Sequence, residues 1–436
     1  MSAATAQGEP LLRYREAFDG RDLSNDAASE QRRAAFEHFL KLGFPAPREE
    51  AWKYTSLRRL ESRKFAPSPR GLLPDAGALS STLAGPRIVL VNGEPRSELS
   101  CAPDETEGLR VSSLEESLAG GGSAAALLRV PVGGGTERFA ALNAAMCPDA
   151  LLIEVERDAR PTQVLHLLLM SCGDTPLMSH PRIVLRAAAG SEARIVLHHV
   201  GAGEPEHFVN AFVDVEVGPD AQLHVYRMLE GGTKTFHIER IEATVAQRGR
   251  FVLHDAQLGA SLARLDVTAR LAAPDAAAEL TGLFLADGTR HLDTQLRVDH
   301  LATGTRSLQD YRGIAAGRGR AVFNGKAVVH QDAQQSVSRQ VSRNLLLSSG
   351  AEIDTKPELE IYADDVQCSH GATTGQLDPA ALFYLRSRGL DESEARNALT
   401  RAFTGAVVSR MDHEPFARLV HDQLDSRLLR LLDHVP

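Results

Sequence analysis

Between Leu151 and about residue 377 the chain repeats one small unit: a short strand of alternating apolar and polar residues, then a turn built on Gly, Asp or Pro, then another strand. Segments such as RIVLRA, ARIVLHHV, AFVDVEV, AQLHVYRM, IEATVAQ and RFVLHDA carry the alternation. Ile195, Leu223 and Phe251 take the second position of the strand after a turn and stand 28 residues apart, and Leu280 follows 29 later behind the turn APDAA. The turns resemble one another: GSEA at 190–193, GPDA at 218–221, QRGR at 247–250. A coil of this kind cannot bury its inner face alone and needs the next coil stacked on it, so the economical reading is a parallel β-helix. A two-sheet antiparallel sandwich is the competing architecture, and four echoes do not separate the two.

Both flanks read as helical. From Leu11 to about Leu60 Phe36, Phe39 and Leu40 fall at helix spacing, and the single tryptophan, Trp52, lies in REEAWKYTSL at 48–57. A lone Trp among charges is read as an anchor that docks the helical arm. The Pro, Gly and Ser-rich stretch 62–85 reads as a linker, 87–92 as a strand, and the GGG tracts at 120–122 and 133–135 as loops. After 377, Asp378 and Pro379 start a helix carrying Leu382, Phe383 and Leu385, and Gly389 stops it. Asp391 and Glu394 open a second, with Leu399, Phe403 and Val407, and a third follows Pro415 with Phe416, Leu419, Val420, Leu424, Leu428 and Leu431. Such stripes are expected to face one another in a small bundle, with one face left for a partner. The expected organisation is a helical region and linker at 1–85, a mixed α/β connection at 86–150, the β-helix core at 151–377 and a helical domain at 378–436.

Composition removes several classes of function. With 48 Lys and Arg against 57 Asp and Glu, net charge −9 and 5% aromatic residues, neither the charge nor the stacking platforms for nucleic acid are available. No secretory leader and no run approaching about 18 apolar residues is visible, so the expectation is a cytoplasmic chain with no membrane span. Four scattered cysteines suit a reducing compartment. No G-x-x-x-x-G-K-[ST] is found, so ATP should not be hydrolysed by this chain, and G-x-S-x-G and H-E-x-x-H are missing as well. His198 and His199, adjacent in a strand, should diverge, one buried and one exposed. His330 and Asp332 read as an ordinary same-face polar pair, and Asp364–Asp365 as a solvated bend.

The stretch EIYADDVQCSHG at 360–371 is different, because it sets a thiol and an imidazole two residues apart where strands give way to helices. In an extended backbone Cys368 and His370 share a face, with Cα atoms roughly 6.6 Å apart. Cys as a small buried hydrophobe and His as a surface group is the plain alternative. Two ligands do not make a closed zinc site, which takes four, but they fit an open or shared one. A thiol enzyme with Cys368 as nucleophile and His370 as base has no oxyanion hole or third orienting residue to support it.

Four stretches, REEAWKYTSL at 48–57, FNGKAVVHQDAQQS at 323–336, the run 344–378 containing CSHGATTGQLD, and ALFYLRSRGL at 381–390, resemble the SufB/SufD family of iron-sulfur cluster assembly scaffold proteins. The Cys-Ser-His-Gly form of the motif and the 48–57 segment place the likeness on the SufD side rather than the SufB side. The resemblance implies a right-handed parallel β-helix, a non-ATPase scaffold that pairs with SufB and docks the SufC ATPase, and homodimerisation as an alternative in isolation. It implies that His370, with Cys368 beside it, meets iron or a transient iron-sulfur cluster at the SufB interface, His370 being the metal contact. It also implies that Leu382, Phe383, Leu385, Leu399 and Phe403 serve ATPase docking. Participation of a flavin is left open.

Overall fold

The computed structural model describes residues 3–46, 48–74, 83–103, 107–133, 135–201 and 206–432. Its centre is a parallel β-solenoid of about seven turns. Successive strands go alternately to two sheets, one of 11 strands ending in Arg320–Val329 and Glu352–Ile361, the other of 10 ending in Val337–Leu346 and Gln367–Gly375. From Leu151 onward every pairing within the stack is parallel. The sandwich alternative is thereby excluded.

The turns explain why the repeat stacks. Gly190, Asp220, Arg248, Asp275, Gly304 and Gln335 all have φ between 53° and 74° and form a column along one corner. Each donates its backbone N–H to a carbonyl in the turn of the next coil: Pro219, Gln247, Pro274, Thr303, Gln334 and Asp365. Left-handed backbone favours Gly, Asp and Asn at such positions, which is the Gly and Asp punctuation visible in the sequence. The echo itself needs one adjustment. Leu223 stacks on Phe251, but Ile195 stacks on Val225 and Leu280 on Leu253. Two-residue offsets keep the same side chains facing inward, so coil length varies while the buried face does not.

Inward-facing Leu, Ile, Val and Ala of both sheets form one continuous core. The outer faces are covered too. Helices Ser29–Leu42 and Glu137–Met146, with Trp52, pack over Val184, Phe208, Phe236 and Ile238 of the first sheet. Trp52 is buried, donates Nε1–H to the carbonyl of Gly135 at 2.8 Å, and has the Arg264 guanidinium 4.0 Å from its ring centroid. Arg264 in turn donates to the Ala51 carbonyl and to Asp266 and Asp293, fixing the arm to the sheet. The anchor reading of Trp52 is the one realised.

At the other side, Phe416, Val420, Leu424 and Leu428 of helix Glu414–Leu432 join Val408 and Met411 against Tyr226, Met228, Ala256, Leu283 and Ile314 of the second sheet. The expected helix-on-helix packing is partly kept, with Arg401 of helix Glu392–Val408 2.7 Å from Asp425 of helix Glu414–Leu432, but the apolar stripe of the last helix also faces the solenoid. This cover also corrects the reading of His198 and His199: both are buried, His199 on the inner face and His198 on the outer face, where it contacts Glu230 at 2.6 Å and stacks on His166. Of the proposed linker, Ala66–Pro67 pairs with Leu177–Ser179, and residues 75–82 lie outside those described.

Candidate functional site

The two ends of the stack differ. At the N-terminal end the antiparallel strands Glu94–Cys101 and Leu109–Ser113 add to the sheets and break the parallel polarity. At the C-terminal end Glu352–Ile361 and Gln367–Gly375 each pair, among the described residues, on one side only, so both sheets finish there in unpaired backbone edges side by side. Exposed edges of this kind are templates for pairing with another chain. The first edge contains Pro357, which lacks an N–H, whereas the second has none between 367 and 375.

Cys368 and His370 sit on that second edge. Their register places both on the inner face: Cys368 ends the column Leu223, Phe251, Ala278, Ser307, Ser338, and His370 ends the column Val225, Leu253, Leu280, Gln309, Gln340. Both columns are apolar lower down, at Leu223, Phe251 and Ala278 and at Val225, Leu253 and Leu280, and turn polar as the end approaches. Ser338, Gln340, Ser342 and Asn344 are all buried, and Gln309 and Gln340 both donate across the lumen to carbonyls of the first sheet, Lys326 and Glu358. For His370 the corresponding strand would have to come from another chain. The imidazole is exposed, and the Cys368 thiol is half buried against Val329, Ala333 and Ala363. Burial pushes the thiol above its ordinary pKa, a backbone hydrogen bond with Ser338 pulling the other way. A protonated thiol is a poor nucleophile, which does not support the enzyme reading.

His330 lies at a strand end with Asp332 in the following turn, so they are not a same-strand pair, and His330 instead faces Asp299 at 3.9 Å. Asp364 and Asp365 form an exposed bend. The C-terminal candidates divide. Phe383 is 75% exposed, and Leu382 and Leu385 are half buried on helix Pro379–Ser387, which has no buried residue. Leu399 is half buried, while Phe403 packs toward the solenoid with the Arg312 guanidinium 5.0 Å from its ring. The polar inner rung 338–344 was not singled out from sequence. Its signal, polar residues at every second position of SRQVSRN, is the same as that of a solvated strand.

The profile described as "SUF system FeS cluster assembly, SufBD core domain" matches residues 170–403, more than half of the chain. The chain belongs to the SufB/SufD family. It is 30% identical to the iron-sulfur cluster assembly protein SufD of Escherichia coli over 98% of this chain and 99% of that one. An iron-sulfur cluster assembly SufBD family protein of Synechocystis is also 30% identical, covering 89% of this chain and 88% of its own length. Protein ABCI7 of Arabidopsis thaliana, described as chloroplastic, is 30% identical over 67% of this chain and 63% of its own. The likeness to SufD thus spans both helical flanks as well as the SufB/SufD core. Among the described residues no helix is long and apolar enough to cross a membrane.

Proposed function

We propose that this chain is the SufD-type scaffold of a cytoplasmic SUF assembly complex, pairing through the open end of its solenoid with a SufB-type paralogue and receiving a SufC-type ATPase on its C-terminal helices. One observation carries the reading: two unpaired edges meet at the end of the stack, and the inner-face column that terminates there ends in the exposed imidazole of His370. A partner solenoid adding strands to these edges would continue backbone pairing and enclose His370 in the joint. There the neutral imidazole contributes a nitrogen to iron or to a nascent iron-sulfur cluster, which is substrate and leaves. Cys368 frames the site from the neighbouring column. The exposed Phe383 and Tyr384 offer the ATPase an apolar contact that the solenoid does not occupy. Closure of the ATPase around nucleotide would pull on these helices and shift the joint, coupling hydrolysis in the partner to access to His370.

The test is co-expression with the two partners, followed by size-exclusion chromatography and iron and sulfide analysis. His370→Ala should co-elute with its partners like the parent and yield markedly less cluster. Undiminished cluster content would remove His370 from the function.

A further inference from the structure

We infer that His199, His237 and Glu239 form a binding site for one divalent transition-metal ion inside the solenoid, far along the stack from Cys368 and His370. Among the described residues this is the one group in which three His, Cys, Asp or Glu side chains bring ligand atoms within 4.8 Å of one another, and all three residues are buried. His199 Nε2 lies 3.3 Å from Glu239 Oε1, and His237 Nε2 lies 2.9 Å from Oε2. The rings meet edge to face with centroids 4.7 Å apart. Donors bound at roughly 2.0–2.2 Å to one ion stand about 3.0–3.4 Å from each other, and both imidazole-to-carboxylate separations lie close to that spacing.

The fold builds this arrangement from both sheets. His199 is the inner-face neighbour of Leu229, while His237 and Glu239 share the inner face with Ile241 across the lumen. Arg227 holds the carboxylate in place, its Nε and Nη2 both donating to Oε2 at 2.8 and 2.6 Å, while His199 Nε2 lies almost equally close to both oxygens, 3.3 Å from Oε1 and 3.2 Å from Oε2. Ligating carboxylates are ordinarily held in place by such outer contacts. Arg227 Nη1 also donates to Asp255, which accepts from Gln257 as well. Two buried carboxylates, Glu239 and Asp255, thus share a single guanidinium. A salt bridge needs no imidazoles; here two converge on one carboxylate.

The donor set selects the ion. Two imidazole nitrogens and one carboxylate oxygen suit Fe²⁺, Co²⁺ or Zn²⁺, whereas Mg²⁺ and Ca²⁺ favour all-oxygen shells. Because the site is enclosed, the ion would enter as the chain folds and stay, clamping the two sheets together across the lumen.

The experiment uses the full chain carrying Cys368→Ser and His370→Ala, so that the open end supplies no ligands. It is produced in medium supplemented in turn with Fe²⁺ (anaerobically), Co²⁺ and Zn²⁺, and desalted before metal analysis. One retained equivalent of at least one of these ions is expected, lost in His199→Gln and in His237→Asn with the circular dichroism spectrum unchanged. No retained metal, or metal undiminished in both variants, overturns the site. Should the variants fail to fold, X-ray absorption at the edge of the retained metal in the unvaried chain decides. Two imidazoles with no sulfur support the site, and sulfur ligation rejects it.

Discussion

Cys368 and His370 share a face and a strand yet have different surroundings, and substitution should separate them. His370 is exposed at the end of its column, so His370→Ala should alter stability by no more than about 0.5 kcal/mol, as at an ordinary surface position, while lowering cluster yield in the complex. Cys368 packs against Val329, Ala333 and Ala363, and Cys368→Ser puts a hydroxyl among them. A loss of about 1 kcal/mol in a urea titration is expected; an unchanged midpoint would mean the thiol does not contribute to packing. The pairing of these two side chains was legible from spacing alone, since alternation in a strand is a geometric rule. What lies beneath them was not: Ser338 and Gln340 occupy inner positions although they are polar, and burial cannot be read from residue type where a polar inner face replaces an apolar one. The same holds for Arg227, Glu239 and His237, which look like surface residues of a strand and are enclosed.

At the scale of elements, the helices at the two ends are tied down by specific contacts. Trp52 anchors the N-terminal arm, and Trp52→Ala should cost about 3–5 kcal/mol, as for other buried aromatics. At the C-terminus, the Tyr226 hydroxyl donates to Asp412 in the turn before helix Glu414–Leu432, with His224 3.5 Å from the same carboxylate. Phe383 and Phe403, adjacent helices apart, should behave oppositely. Phe383→Ala should leave the melting temperature in place and weaken co-purification with the ATPase. Phe403→Ala should lower stability by about 1–2 kcal/mol through lost packing. Equal effects on both readouts would mean that the helices dock differently. The C-terminal helices were visible from capping residues and apolar stripes, but Glu137–Met146 was not. Every residue from Phe139 to Met146 is buried, so no polar face marks the helical period.

On the scale of the whole molecule, the turn column and the alternating strands made the solenoid readable, because each coil repeats the same demand for a buried inner face. Coil-to-coil register was less readable, since a shift of two residues costs nothing in pattern. The packed interior also holds many imidazoles. Burial lowers His166 and His180 to about 3, and His237, His254 and His300 to about 4. Unfolded, these groups titrate near 6.5, so between that value and their folded values the unfolded chain binds more protons. Their contribution to stability is full above about pH 6.5 and is lost as the pH falls toward 4. The urea midpoint should therefore drop clearly between pH 7.5 and pH 5, and a flat profile would show that these side chains do not stay neutral in the fold. The central claim concerns the end of the stack, and hydrogen–deuterium exchange tests it most directly. Amides of 367–375 should exchange fast in the isolated chain and slow markedly in the complex with the SufB-type partner; equally fast exchange in both states would contradict a joint at that edge.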